Sequence, residues 1–177
     1  MAAVVSAAFV AVLLLGGTRA AFVDTTDNST NTFSAGDVVL SDDDAGSVLF
    51  DVANLAPGDA RTRCIAVDYN GSLTADVRLY GEVGGNGLAG FLEVDIEAGS
   101  GGGASSCSGF VPSTTLFSGT LAEFGAAHTG YASGLGGFTG ATDPASRTYR
   151  VTVVLRDDNA AQGRSATAGF TWEAQSA

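Results

Sequence analysis

From about residue 37 onward, apolar and polar residues alternate with a period of two over much of the chain. In the run 91–98, Leu92, Val94, Ile96 and Ala98 fall on one face and Glu93, Asp95 and Glu97 on the other. That is the pattern of a strand with one buried side and one wet, acidic side. Tyr149, Val151, Val153 and Leu155 alternate with Arg150, Thr152 and Arg156 in the same way. So do Ala168, Phe170, Trp172 and Ala174 within 166–174. Shorter runs predict strands over 38–40, 48–53, 62–68, 75–81 and 111–117. Turn chemistry separates them, at Asp42-Asp43-Asp44-Ala45-Gly46, Ala56-Pro57-Gly58-Asp59, Asn70-Gly71 and Asp157-Asp158-Asn159. Many short strands with such punctuation predict an all-β fold, an antiparallel β-sandwich. One short helix is expected over 119–124. Three Gly-rich stretches, 81–90, 99–109 and 130–140, read as long loops at the ends of the sandwich, and no internal repeat is present.

The first 17 residues break the pattern. Ala2 to Gly17 are nearly all apolar or small. The run is too short and too early for a comfortable membrane span and fits the apolar region of a signal peptide, although no basic segment precedes it. Small residues at Ala20 and Ala21, just before Phe22, offer cleavage after either one, with Ala21 preferred. The alternative is an uncleaved N-terminal anchor. The expected organisation is a signal peptide over 1–21, a mostly polar leader over 22–36 and a β-sandwich domain over 37–177.

Composition narrows the function. The chain has 177 residues, 25 of them Gly, and a formal net charge of −11; all eight basic residues are Arg. So acidic a chain repels nucleic acid and anionic lipid, which excludes a nucleic-acid binder. If the chain is exported, its two cysteines, Cys64 and Cys107, are expected to form one disulfide; the alternative is two buried free thiols. The chemistry of catalysis is sparse. There is one histidine, His128, expected in a solvated loop, so a zinc protease motif with two histidines on one helix face cannot be built. No G-x-S-x-G marks a nucleophile. The run Asp42-Asp43-Asp44 lacks the spacing of a calcium loop and reads as a solvated turn. The Gly-rich stretches carry no Lys and no phosphate-binding fingerprint. No catalytic residue, no metal ligand and no cofactor is expected.

Four motifs in order carry a resemblance. They are Gly16-Gly17-Thr18-Arg19-Ala20-Ala21-Phe22-Val23-Asp24, then Phe33-Ser34-Ala35-Gly36-Asp37-Val38-Val39-Leu40, then Asn54-Leu55-Ala56-Pro57-Gly58-Asp59, then Asn70-Gly71-Ser72-Leu73. This order resembles the TasA/camelysin family over residues 16–73. Phe170-Thr171-Trp172-Glu173-Ala174 is similar to that family's last strand, while 80–148 matches only in strand character.

The resemblance implies a jelly-roll sandwich and a secreted or cell-surface location. It implies processing by a SipW-type signal peptidase and a role as a subunit of biofilm-matrix fibres. The subunits would join by donor-strand complementation with copies of themselves or a paralogous subunit. Camelysin itself is described as a metalloprotease, which gives a second, less favoured reading; a monomeric secreted adhesion or binding domain is a third. The short length and the cysteine pair depart from the fibre proteins. The residues 22–36 are compatible with donation: they are polar with apolar anchors at Phe22, Val23 and Phe33, and have little reason to fold on their own protomer. Laid on a partner's open edge they would gain a ladder of main-chain hydrogen bonds.

Overall fold

A computed structural model of the chain describes residues 23–24, 37–45, 49–50, 55–142 and 144–177. Among them the alternating stretches form nine strands: β1 (Val23–Asp24), β2 (Leu40–Asp42), β3 (Ala60–Tyr69), β4 (Ala75–Gly85), β5 (Leu92–Ser100), β6 (Val111–Thr120), β7 (Leu135–Ala141), β8 (Ala145–Leu155) and β9 (Ala166–Ser176). They make two sheets, one in the order β1-β9-β4-β7 and one in the order β2-β3-β8-β5-β6. Every neighbouring pair is antiparallel. The protein is an all-β sandwich, as the alternation predicts.

The core lies where the two inner faces meet. Leu92, Val94, Ile96 and Ala98 of β5 are all buried, as are Tyr149 and Val151 of β8 and Ile65, Val67 and Tyr69 of β3. The other sheet contributes Ala75, Val77 and Leu79 of β4 and Ala174 of β9. Each large apolar side chain so buried stabilises the fold by about 1.5–3 kcal/mol against exposure. On the wet face of β5 two of the three acids, Glu93 and Glu97, are paired with arginines of the β8 side. Arg150 Nε donates to Glu97 Oε2 at 2.7 Å, and Arg156 pairs with Glu93.

One helix, α1 (Leu121–Ala127), follows β6 directly. Thr120 starts it as a capping box: its hydroxyl accepts from Glu123 N at 3.2 Å, and Thr120 N donates to Glu123 Oε2 at 2.7 Å. The helix buries Phe124 completely, against Phe117 and Phe170. Gly81 makes this close approach feasible, since a Cβ there would stand 2.1 Å from Gly169 O and 3.0 Å from the Phe124 ring.

Several expectations are corrected. The stretch 130–140 is not all loop, because β7 occupies its second half. Leu135 and Phe138 are its only large apolar residues, and burying both is enough to seat the strand at a sheet edge. The stretch 81–90 begins as the end of β4, because Glu82 to Gly85 stay in register with β9. The helix lies two residues further on than 119–124, where the cap is. Of the expected strand 48–53, only Leu49 and Phe50 are described; neither is in a strand, though both pack on the core.

Candidate functional site

The cysteine pair is formed. Cys64 and Cys107 are disulfide-bonded with a Cα–Cα distance of 5.3 Å and a sequence separation of 43. Cys64 stands on the outer face of β3, opposite Arg150 of β8, and is only 1% exposed. The bond therefore holds the Gly-rich segment after β5 over the outside of the five-stranded sheet. Two further contacts hold that segment. The Arg150 guanidinium lies over the Phe110 ring at 4.7 Å. Asp43, from the acidic turn, accepts from Ala66 N at 2.8 Å and from Ala104 N at 2.7 Å. The turn is thus a tether between β3 and the 101–109 loop. Its neighbour Asp42 has its carboxyl held above the usual range, first by burial and then by Asp44 beside it.

His128 is not in a solvated loop. It caps the C-terminus of α1 and is half-buried against the rings of Phe117 and Phe124, at 5.7 and 5.5 Å. Its Nδ1 is 2.6 Å from the carbonyl oxygen of Ser133, which can only accept, so Nδ1 donates there. The sequence signal for this position is the run Leu121, Phe124, His128, spaced by three and four residues on one helical face.

The anchors expected at the processing junction fall mostly outside the described residues: Ala20, Ala21, Phe22 and Phe33 all do. Val23 is placed. It lies in β1 opposite Gln175, with Asp24 opposite Ala174, on the outer edge of β9. The leader was expected not to fold on its own protomer, and for these two residues that is corrected. Main-chain hydrogen bonds to a free strand edge need no particular side chain.

The sheet edges differ in how they are protected. β6 carries Pro112 and two breaks in its register with β5, and β7 is broken in register against β4. Bulges and proline are the usual devices that stop an edge from pairing. β3 is covered by β2 at Val67 to Tyr69, is bonded by Asp43 at Ala66, and carries Arg61 and Arg63 beyond. β9 has neither a bulge against β4 nor a proline. It runs eleven residues in unbroken register with β4, and has no Pro and no charged residue between Ala166 and Trp172. Among the described residues only β1 pairs with its outer edge, at two positions. Thr167, Ala168 and Gly169 are exposed, although Ala168 shares the core-facing side with Trp172 and Ala174.

Residues 1–83 match the family model described as camelysin metallo-endopeptidase. Over these residues, which take in β1 to most of β4, the chain is similar to the TasA/camelysin family, whose proteins are secreted or at the cell surface. No curated protein matches the chain. Among the described residues the metal in the family's description finds no fitting donor set. The chain's one histidine spends Nδ1 on Ser133, and among the described residues no three His, Cys, Asp or Glu side chains are grouped to hold an ion. Among the described residues no helix is long and apolar enough to cross a membrane.

Proposed function

We propose that this chain is an exported, non-enzymatic structural subunit of an extracellular or cell-surface fibre, such as a biofilm-matrix fibre. A SipW-type signal peptidase would release the leader after Ala20 or Ala21. The freed segment, anchored by Phe22, Val23 and Phe33, would then add as a strand to the next copy or to a paralogous subunit. The observation that carries this reading is the edge of β9: long, regular, uncharged over Ala166–Trp172, and already paired to leader residues at Gln175 and Ala174. The contact is head-to-tail and does not close on itself, so it builds filaments. While the signal peptide is attached the leader is tethered and cannot be donated, so cleavage gates assembly.

The same β1–β9 pairing, made within one chain, favours the monomeric adhesion domain as the second reading. Ala168→Asp separates them. It places a charge on the core-facing side of β9 at an exposed position and should abolish filaments in negative-stain images while the domain stays folded. Thr167→Asp, on the other face, should leave them. A mature chain that stays monomeric at all concentrations supports the second reading.

A further inference from the structure

Asn70-Gly71-Ser72 is a tripeptide of the form Asn-x-Ser, the acceptor pattern for N-linked glycans in exported proteins. It sits on the turn that leaves β3, at the end of the sandwich where the chain also enters β2. Two of its three residues have a structural task. Gly71 is required by close packing, since a Cβ there would stand 2.3 Å from Tyr69 Oη and 2.6 Å from Asp37 O. Ser72 Oγ accepts from Asp37 N at 2.9 Å, and Ser72 N donates to Asp37 Oδ1 at 3.3 Å. Hydrogen bonding from the Ser72 side chain, and then from its main-chain N–H, holds the Asp37 carboxyl below its usual range. Asn70 differs. Its main-chain N–H donates to Val39 O at 2.9 Å, but its side chain is exposed and makes no hydrogen bond among the described residues. Turn geometry thus explains Gly71 and Ser72 and leaves the Asn70 amide facing water with nothing to do.

We infer that Asn70 is an N-glycosylation site. The co-reactant is an oligosaccharide carried on a lipid phosphate or pyrophosphate, presented by a membrane transferase on the export side. The Asn70 Nδ2 attacks the anomeric carbon, a C–N bond forms and the anomeric C–O bond breaks. The lipid phosphate leaves with the electron pair, and the amide gives one proton to a base of the transferase. The product is a neutral amide with a sugar chain projecting from the end of the sandwich, clear of the core and of the β9 edge between Ala166 and Gly169. A second tripeptide of this form, Asn28-Ser29-Thr30, lies outside the described residues.

The inference rests on the export reading, and one experiment keeps the two apart. Protein exported by its own cells is reduced, cut after arginine and weighed by mass spectrometry. The peptide from Cys64 to Arg78 contains Asn70 but not Asn28. It should carry an oligosaccharide mass, lost in Asn70→Gln and kept in Ser72→Thr. A mature N-terminus at Ala21 or Phe22 in the same digest reports cleavage. A cleaved chain whose peptide is unmodified, or shows only the unit mass gain of deamidation at Asn70-Gly71, overturns the site. An adduct that survives Asn70→Gln also overturns it. An uncleaved N-terminus in the exported fraction overturns the signal-peptide reading instead.

Discussion

Tyr80 donates its hydroxyl to Glu173 Oε2 at 2.7 Å, across the pair formed by β4 and β9. Glu173 is buried, and its other oxygen accepts from Gln175 Nε2 at 2.8 Å. The strand whose outer edge meets only β1 among the described residues is therefore fixed from its inner side, by eleven register pairs and by this side-chain bridge. A stiff, well-held edge strand is what an incoming strand needs as a template.

That bridge makes stability sensitive to alkali. The bond to Glu173, followed by burial, pushes the Tyr80 hydroxyl up to about 12 from an ordinary 10.0. Its folded pKa lies above its unfolded one. The contribution is therefore complete below pH ~10 and is lost as pH rises from there to about 12. Tyr131 and Tyr149 are raised as well, chiefly by burial, and add to the same trend. Denaturant midpoints measured from pH 8 to 12 should fall across that window. In Tyr80→Phe the fall should be shallower.

The disulfide closes a loop across a sequence separation of 43. In the chain-entropy description a loop of that size stabilises by about 4 kcal/mol. Reduction, or Cys107→Ser, should lower the melting temperature by roughly 10 °C, at about 2–4 °C per kcal/mol for a chain of this size. The far-ultraviolet spectrum should stay that of a β-protein, because the bond lies outside the core. An unchanged melting curve under reductant would show that the loop is held by Phe110 and Asp43 alone.

Thr120→Ala removes the start of α1 and should cost about 1 kcal/mol in urea unfolding. The capping bonds to Thr120 hold the Glu123 carboxyl below its usual range. Their contribution is therefore present above the ordinary glutamate pKa and lost as the pH falls through the lowered one. The difference between wild type and Thr120→Ala should narrow in acid.

His128→Ala tests the absence of peptidase chemistry. The mature chain should not cleave casein with or without added zinc, and the variant should differ only in stability, through lost packing on Phe117 and Phe124. A chelator-sensitive activity that disappears in the variant would restore the peptidase reading.

The strands with strict alternation, β5, β8 and β9, were legible because one face of each is core and the other is wet. β7 was not, because glycines dilute its period and only Leu135 and Phe138 carry the signal. The place of His128 was missed because a lone polar residue two positions before Gly130 reads as loop, while its seat is made by rings distant in sequence, Phe117 among them. The disulfide was legible from two cysteines in a chain read as exported, but not the tether by Asp43, whose partners lie 23 and 61 residues away. The polarity of the leader gave no sign that Val23 and Asp24 pair with β9, since a main-chain ladder leaves no mark in the side chains.

In the proposed fibre, residues 22–33 join one subunit to the next. The most direct measurement is negative-stain imaging, with sedimentation, of the mature chain beside a variant lacking residues 22 to 33. The mature chain should form filaments. The truncated chain should remain a folded monomer, because it loses Phe22, Val23 and Phe33, each worth about 1.5–3 kcal/mol when buried. Phe22→Asp should weaken filaments more than Asp24→Ala, and a synthetic peptide of the leader should shorten them by capping ends. A truncated domain that polymerises as well as the mature chain would contradict donor-strand assembly for this protein.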